Sequence, residues 1–299
     1  MGEFDLYQGS YVFTYALAIA SIILLTGYSG QLSLGQGALM AIGAYAGALS
    51  IFNAGWNPVI GLIMATLVAG IFGLFLGLIA ARLSGPYLAG TTLALAISLP
   101  TLANQFPILG AEEGIVFDVG TPPSIFGEDF SQYKWFFWIS ALATLIMIWL
   151  IGNLLAAKYG RTFRAMRDNP IAAQLSGINI ARLKVTAFAI SSGVAGLSGG
   201  LLVMLISGVS PSAFPLSLSF ALLGGAVVTG LYSLKGVILG GLVLVAIPEI
   251  AESIVSGIGG SEKITASLPG FLVSALLILA VAFTPNGPEH LLKKLHHKK

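Results

Sequence analysis

The sequence has no cysteine and only three histidines, His290, His296 and His297, all close to the carboxyl terminus. Without thiol groups the chain can form neither a disulfide framework nor a thiolate metal site. Without a histidine in any apolar segment, a buried histidine proton relay or a histidine-based metal centre is also excluded. We therefore predict no metal-binding residues.

Charged residues are scarce as well, because they make up 9% of the 299 residues while 56% are hydrophobic. Soluble domains carry about 25% charged residues, so an ordinary soluble protein is excluded. The apolar runs are long and continuous, whereas a membrane β-barrel has short alternating segments. The sequence predicts an all-α, polytopic helical membrane protein with a single transmembrane domain over residues 1–299. We expect about nine spans, in a range of about 8–10, of which Leu268–Phe283 is the last.

Two motifs of enzymes are also missing. The chain contains no H-E-x-x-H sequence and no G-x-x-x-x-G-K-[ST] phosphate-binding loop, so neither a zinc-protease helix nor the usual ATP site is present. We predict no catalytic residues and no enzymatic activity. Few ionisable residues lie in the middle of apolar segments, which argues against a proton- or sodium-coupled carrier. The remaining interpretation is a membrane transport protein whose energy source is a separate partner protein.

Basic residues concentrate in the stretch 158–184, which lies between two apolar segments and has a single acid, Asp168. The positive-inside rule places such a loop in the cytoplasm, so we predict a cytoplasmic loop over residues 156–184. Residues 109–131 are acidic and the tail, residues 286–299, is basic. By the same rule the amino terminus lies outside and the basic tail lies in the cytoplasm.

A short helix is predicted inside this basic loop. Asn169-Pro170 is a typical helix start, small and apolar residues follow near one face, and Gly177 marks the end. Such a helix, flanked by basic residues, could dock a cytoplasmic partner. An ordinary loop held by its charge to anionic lipid headgroups is the alternative, and charge alone does not decide between them.

Polar residues also interrupt the apolar sequence at residues 27–37, which read GYSGQLSLGQG. This pattern indicates a broken or re-entrant segment, a feature that marks substrate paths in transporters. A tight turn between two spans is the alternative. In the polar span that follows residue 86, threonines could face a pore or bond to neighbouring helices. The candidate path residues are Gln31, Ser33, Gln36, Thr91 and Thr92.

Two further patterns involve glycine. Small residues four positions apart allow membrane helices to approach closely, and helix packing is their default interpretation. Gly30-x-x-Ser33-Leu34 recurs as Gly230-x-x-Ser233-Leu234, which is either the trace of an internal duplication or a coincidence in a chain rich in Gly, Ser and Leu. The spaced glycine pairs are Gly43/Gly47, Gly73/Gly77, Gly196/Gly200 and Gly236/Gly240.

Three ordered segments resemble a known family. They read GYSGQLSLGQGALMAIGAYAGAL, GRTFRAMRDNPIAAQLSGINIARLKVTAFAISSGVAGLSGGL and LLGGAVVTGLYSLKGVILGGLVL. Together they resemble the inner-membrane permeases of branched-chain amino acid ABC transporters, of the LivH/LivM type and closer to LivM. The resemblance extends over most of the chain, from Gly27 to Glu249.

This resemblance implies partners and a location. The family's permeases pair with a second homologous permease subunit, two cytoplasmic ABC ATPase subunits that use ATP and Mg, and an extracytoplasmic substrate-binding protein. No cofactor is expected on this chain itself and no nucleic acid partner, while membrane lipid surrounds it. The expected location is a bacterial-type inner membrane.

The resemblance also implies a role for the basic loop. ABC importers dock their ATPases on a coupling helix marked by Glu-Ala-Ala-x-x-x-Gly, which corresponds here to residues 171–177, with Ile171 in place of the glutamate. The replacement removes any salt bridge that the glutamate would make to the ATPase. Docking is expected through residues 161–182. The candidate coupling residues are Arg164, Arg167, Asp168, Asn169, Ala172, Ala173 and Gly177.

The expected function is that of a transmembrane permease subunit in an ATP-driven importer of branched-chain or related amino acids. The chain would form half of the translocation pathway. The alternatives are a permease for urea, amides or other small polar solutes, or a stand-alone channel or secondary carrier. A membrane enzyme or an assembly scaffold is disfavoured by the lack of catalytic groups.

Overall fold

The computed structural model describes residues 2–120, 122, 130–258 and 275. These residues are mostly helical, and a two-residue strand β1 (Ile115–Val116) pairs antiparallel with a second one, β2 (Gly208–Val209). The helices in this part of the chain are α1 (Glu3–Ile22), α2 (Gln36–Phe52), α3 (Pro58–Arg82), α4 (Pro86–Gln105), α5 (Gln132–Ala156), α6 (Lys158–Asp168), α7 (Pro170–Leu175), α8 (Ile180–Ile206), α9 (Leu216–Thr229) and α10 (Val237–Ile258).

Six helical segments in the described residues are long and apolar enough to cross a membrane, which confirms an all-α membrane protein. The predicted count of about nine spans is not supported. One reason is length, since α2 has 17 residues and would extend only about 25 Å at 1.5 Å per residue. The predicted last span, Leu268–Phe283, and the tail, residues 286–299, lie outside the described residues except for 275. The six segments are Glu3–Tyr28, Pro58–Arg82, Pro86–Gln105, Gln132–Ala156, Ile180–Ile206 and Pro211–Thr229.

Helix α8 lies at the centre of the bundle, where it packs against α1, α2 and α3. Its glycines let neighbouring backbones approach closely. A β-carbon at Gly196 would overlap Ala69 of α3, and a β-carbon at Gly199 would overlap the carbonyl group of Met40 in α2. Helix α1 is also largely buried, between α5, α8 and α10.

Residues 196–200 of α8 read GLSGG and so match the G-x-S-x-G pattern of hydrolases. In those enzymes the serine lies on a sharp turn between a strand and a helix and is exposed. Here Ser198 is buried in the middle of a helix, and its hydroxyl donates a hydrogen bond to the carbonyl of Thr14, with 2.7 Å between the oxygens. This serine therefore holds α8 to α1 and is not a nucleophile.

The helical break predicted near residues 27–37 is present. Helix α1 continues as a π-helix over Ile23–Tyr28, Gly30 has a φ of 70°, and α2 begins only at Gln36. Single π-helical turns are frequent at functional positions in helices. The break therefore divides the amino-terminal part of the bundle into two helices joined by an irregular segment.

Candidate functional site

The basic segment predicted to be a cytoplasmic loop folds into the short helices α6 and α7. The first turn of α6 packs closely against the end of α5, because a β-carbon at Gly160 would overlap the backbone of Leu155. Phe163 and Met166 are buried on one face of α6, whereas Arg161 and Arg164 are exposed on the other. Helix α6 is therefore amphipathic, and its basic face is open.

Helix α7 is fixed at both ends by local hydrogen bonds. The side-chain oxygen of Asn169 accepts from the N–H of Ala172 at 3.0 Å, and Pro170 occupies the first helical position. At the other end Gly177 has a φ of 83°, and its N–H donates to the carbonyl of Gln174 at 3.0 Å. The N–H of residue 178 donates to the carbonyl of residue 173 at 3.1 Å, which completes a Schellman motif. The short helix predicted from Asn169, Pro170 and Gly177 is therefore present.

The exposed face of α7 is apolar. Ala173 is 5% exposed and faces the protein, whereas Ile171 and Leu175 are 72% and 86% exposed. Residues four positions apart lie on the same face of a helix, so these two side chains form one apolar patch. Leu175 was not among the predicted coupling residues. Its signal in the sequence is its spacing of four residues from Ile171.

Arg167 points from α6 towards the bundle. Its Nη1 donates to the carbonyl of Gly27 at 2.9 Å, and its Nε lies 2.8 Å from the carboxylate of Asp168. Its guanidinium carbon also lies 4.7 Å from the centre of the Tyr232 ring. Arg167 thus contacts other parts of the bundle, whereas the Nε of Arg164 donates to the carbonyl of Gly160 in its own helix. The exposed members of the predicted coupling set are Arg164, Asp168, Asn169, Ala172 and Gly177.

The candidate path residues in the helical break are buried between helices in the described structure. Gln36 is 1% exposed, and its Nε2 donates to the hydroxyls of Ser21 at 2.6 Å and Ser191 at 3.0 Å, which joins α2 to α1 and α8. Gln31 and Ser33 are buried as well. The Oε1 atoms of both glutamines have no hydrogen-bond partner within the described part of the chain. The structure thus shows these polar side chains between helices.

The two candidate threonines of α4 differ in their surroundings. Thr92 is buried, and its hydroxyl accepts from the N–H of Leu34 at 3.0 Å, so that it holds the helical break to α4. Thr91 is partly exposed, and its hydroxyl donates to the carbonyl of Tyr87 in its own helix at 2.7 Å. The structure therefore gives Thr92 a packing role that Thr91 does not have.

We expect Thr92→Val to lower the free energy of unfolding by about 1–3 kcal/mol, because it leaves the partly buried N–H of Leu34 without its acceptor. Thr91→Val is the matched control, and we expect it to change this free energy by less than about 0.5 kcal/mol. Unfolding of the purified full chain in mixed detergent micelles measures both. Equal stabilities for the two variants would contradict this assignment.

Comparison with known proteins identifies relatives over most of the chain. Residues 7–281 match the family described as "Branched-chain amino acid transport system / permease component". The chain is 31% identical over 260 residues to the high-affinity branched-chain amino acid transport system permease protein LivM of Salmonella typhimurium, and equally so to that of Escherichia coli. Each match covers 79% of this chain and 61% of the relative.

A more distant relative has another substrate in its name. The fructose import permease protein FrcC of Rhizobium meliloti is 26% identical over 236 residues, which cover 76% of this chain and 64% of the relative. No solved structure matches the chain. The chain thus spans about three fifths of the length of the first relatives.

Proposed function

This chain belongs to the family of permease components of branched-chain amino acid transport systems, and from this membership we propose that it is the transmembrane permease subunit of an ATP-driven importer. It forms half of the translocation pathway together with a second homologous permease subunit. Two cytoplasmic ABC ATPase subunits bind ATP and Mg, and this chain binds no cofactor. An extracytoplasmic protein delivers the substrate.

The observation that carries the proposal is the apolar patch of Ile171 and Leu175 on α7. Two large apolar side chains on a capped helix, next to exposed arginines, have the form of a helix that inserts into a groove of a partner. Ile171 replaces the glutamate of the family motif, so we propose that apolar contact substitutes for a salt bridge at this position. The capped ends of α7 let it move as a rigid unit.

The proposed mechanism couples α7 to the membrane helices. ATP binding closes the ATPase dimer, displaces residues 169–177 and switches the bundle between outward and inward access. Gln31, Ser33 and Gln36, with Thr91 and Thr92, are proposed to border the path in the open states. Their buried hydrogen bonds would then break and re-form as α1, α2 and α4 move.

The orientation follows from charge. The basic face of α6 and the patch on α7 lie in the cytoplasm, and the acidic residues Glu112, Glu113 and Asp118 lie outside. This places the amino terminus outside and the carboxyl terminus in the cytoplasm of a bacterial-type inner membrane. The single domain, residues 1–299, then presents the loop 156–184 and the tail 286–299 to the cytoplasm.

We propose branched-chain or related amino acids as substrates, because the two LivM relatives are named for their transport. The similarity to a fructose import permease keeps a small polar solute such as a sugar as the second candidate. Uptake of labelled leucine in competition with leucine analogues, fructose, urea and short amides distinguishes the classes. A stand-alone channel would instead conduct in liposomes without any ATPase.

We expect the double substitution Ile171→Asp/Leu175→Asp to abolish recovery of the ATPase when the chain is purified from its native membrane in mild detergent. Burying two carboxylates in an apolar groove costs several kcal/mol by order of magnitude, which reduces the affinity by about a thousandfold. Mass spectrometry of the co-purified chains measures the loss.

The matched control for this experiment is Ile108→Asp, which also changes an exposed apolar residue, in the short 3₁₀ turn that follows α4. We expect this variant to retain the ATPase. Recovery of ATPases with the α7 variant at the wild-type level would refute docking through α7.

A further inference from the structure

Two turns of the same sequence pattern lie beside Arg167. In the first, Gly30 has a φ of 70° and the Ser33 hydroxyl accepts from the N–H two residues later at 3.4 Å. In the second, Gly230 has a φ of 95° and the Ser233 hydroxyl accepts from the N–H two residues later at 3.3 Å. Both occurrences of the Gly-x-x-Ser-Leu pattern thus share a glycine with positive φ and the same serine-to-backbone hydrogen bond. The first turn joins α1 to α2, and the second joins α9 to α10.

The second turn packs against the π-helix that precedes the first turn, and Arg167 contacts both turns. A β-carbon at Gly27 would overlap the carbonyl group of Leu231, which precedes Tyr232 in the second turn. A β-carbon at Gly30 would lie 2.6 Å from Cγ of Arg167. The guanidinium group donates to Gly27 on one side and stacks on Tyr232 on the other. One side chain of α6 therefore holds both turns.

The chemistry of these contacts favours arginine. The Gly27 carbonyl lies near the carboxyl-terminal end of the π-helix that continues α1, where carbonyls lack intrahelical donors and carry partial negative charge. A guanidinium group can donate a hydrogen bond to this carbonyl, and its flat face can also make a cation–π contact with the Tyr232 ring. Lysine offers a compact charge without the planar fork, so it cannot make both contacts equally well. The Arg167 side chain is 26% exposed, which limits competition from water.

We propose that Arg167 is a positioning residue that transmits movement of α7 to both Gly-x-x-Ser-Leu turns, and through them to α1/α2 and α9/α10, rather than a contact with the ATPase. This role rests on the proposed function, since the partner ATPase supplies the movement of α7. Asn169 separates α6 from α7 by a single residue, so displacement of α7 acts directly on the position of Arg167. The π-helix over Ile23–Tyr28 is where α1 can absorb such a displacement.

The first experiment uses the full complex in liposomes and measures uptake per ATP hydrolysed. We expect Arg167→Gln to lower this ratio by about tenfold or more, because a charge-assisted hydrogen bond is worth at least about a factor of ten in an equilibrium constant. Arg167→Lys should lie between the wild type and Arg167→Gln. Arg82→Gln, an exposed arginine at the end of α3 and outside the docking range, is the control and should behave as the wild type. All these variants should retain the ATPase in a pull-down.

Tyr232 provides an independent test of the same contact. Tyr232→Phe keeps the ring face and should retain coupling, whereas Tyr232→Leu should lower it. Adding Tyr232→Leu to Arg167→Gln should have little further effect, because both changes remove one shared contact. Full additivity of the two losses would show that the residues act separately and would overturn the role of the shared contact.

A second readout needs no ATPase. The native chain has no cysteine, so spin labels can be attached at Gln174→Cys on α7 and Lys235→Cys beside the second turn. In the full chain in lipid nanodiscs we expect one narrow distance distribution. Arg167→Gln should broaden it, Arg167→Lys should broaden it less, and Arg82→Gln should leave it narrow.

The outcomes separate the two proposals. If the wild-type chain recovers no ATPase, the proposed function fails, and the spin-label distances still decide whether Arg167 holds α7 to the turn. If Arg167→Gln loses the ATPase but keeps a narrow distribution, Arg167 is an ATPase contact and the positioning role is overturned. Unchanged distances with unchanged coupling would overturn it as well.

Discussion

Gly199→Ala is expected to lower the free energy of unfolding by about 3 kcal/mol or more, at the upper end of the cost of overpacking. The added methyl group overlaps the carbonyl group of Met40. A backbone carbonyl cannot rotate away as a side chain can, so α2 has to move away from α8. That movement also separates Gly43 from Gly196, where the same helices meet at close range. The thermal unfolding temperature of the purified chain in detergent, and its yield as a monodisperse peak, measure the effect.

Gly152→Ala is the matched control for this substitution. Gly152 lies inside α5, and a β-carbon there has no neighbour within 4 Å in the described structure. Alanine is a better helix former than glycine by about 0.8–1 kcal/mol, so this variant should be as stable as the wild type or slightly more stable. Similar losses for Gly199→Ala and Gly152→Ala would contradict a close approach of α2 and α8.

Which helices meet could be predicted only in part. The spaced glycine pairs predicted close packing, and Gly43 and Gly196 indeed face each other across α2 and α8. The spacing does not identify which helix packs against which, however, because a small residue on one helix can pack against a small residue on any other helix. Gly199 belongs to none of the predicted pairs, and its contact with Met40 depends on the crossing of two helices far apart in the sequence. Local pattern thus predicts that helices approach closely but not where.

The same limit applies to the candidate site. Both ends of α7 follow from local chemistry, in which Asn169 caps the first turn and Gly177 adopts the left-handed backbone that ends it. The direction in which the Arg167 side chain points does not follow from local chemistry, because its hydrogen-bond partner Gly27 is 140 residues away in the sequence. In the sequence, Arg167 is one of several arginines in a basic loop. Only the structure shows that Arg167 contacts the bundle whereas Arg164 is exposed.

The path residues illustrate an ambiguity in membrane proteins. A polar side chain in an apolar segment needs a partner, which can be water in a path or a polar group on another helix. Gln36 donates hydrogen bonds to the hydroxyls of Ser21 and Ser191, and the hydroxyl of Thr92 accepts one from the backbone N–H of Leu34. Their presence near the helical break was predictable. Their partners come from helices that the sequence does not place next to each other.

Gly177→Val is expected to uncouple ATP hydrolysis from uptake while leaving the bundle folded. Gly177 has a φ of 83°, and a branched side chain in this region costs about 1–2 kcal/mol or more. A β-carbon at this position meets open space in the described structure, so the cost is one of backbone conformation alone. The end of α7 should unwind locally, which reorients Leu175 relative to Ile171. Uptake per ATP hydrolysed should fall by about tenfold, since about 1.4 kcal/mol corresponds to that factor.

Gly177→Asn is the control that isolates the backbone from side-chain size. Asparagine tolerates the left-handed region and also ends helices at this position, so this variant should keep the Schellman motif and most of the coupling. Both variants should unfold at the wild-type temperature, because the side chain of residue 177 does not enter the bundle. Loss of coupling in both variants would show that a partner surface leaves no room for any side chain at residue 177. Retention of coupling in Gly177→Val would show that the shape of α7 does not matter, and α7 would no longer be the coupling element.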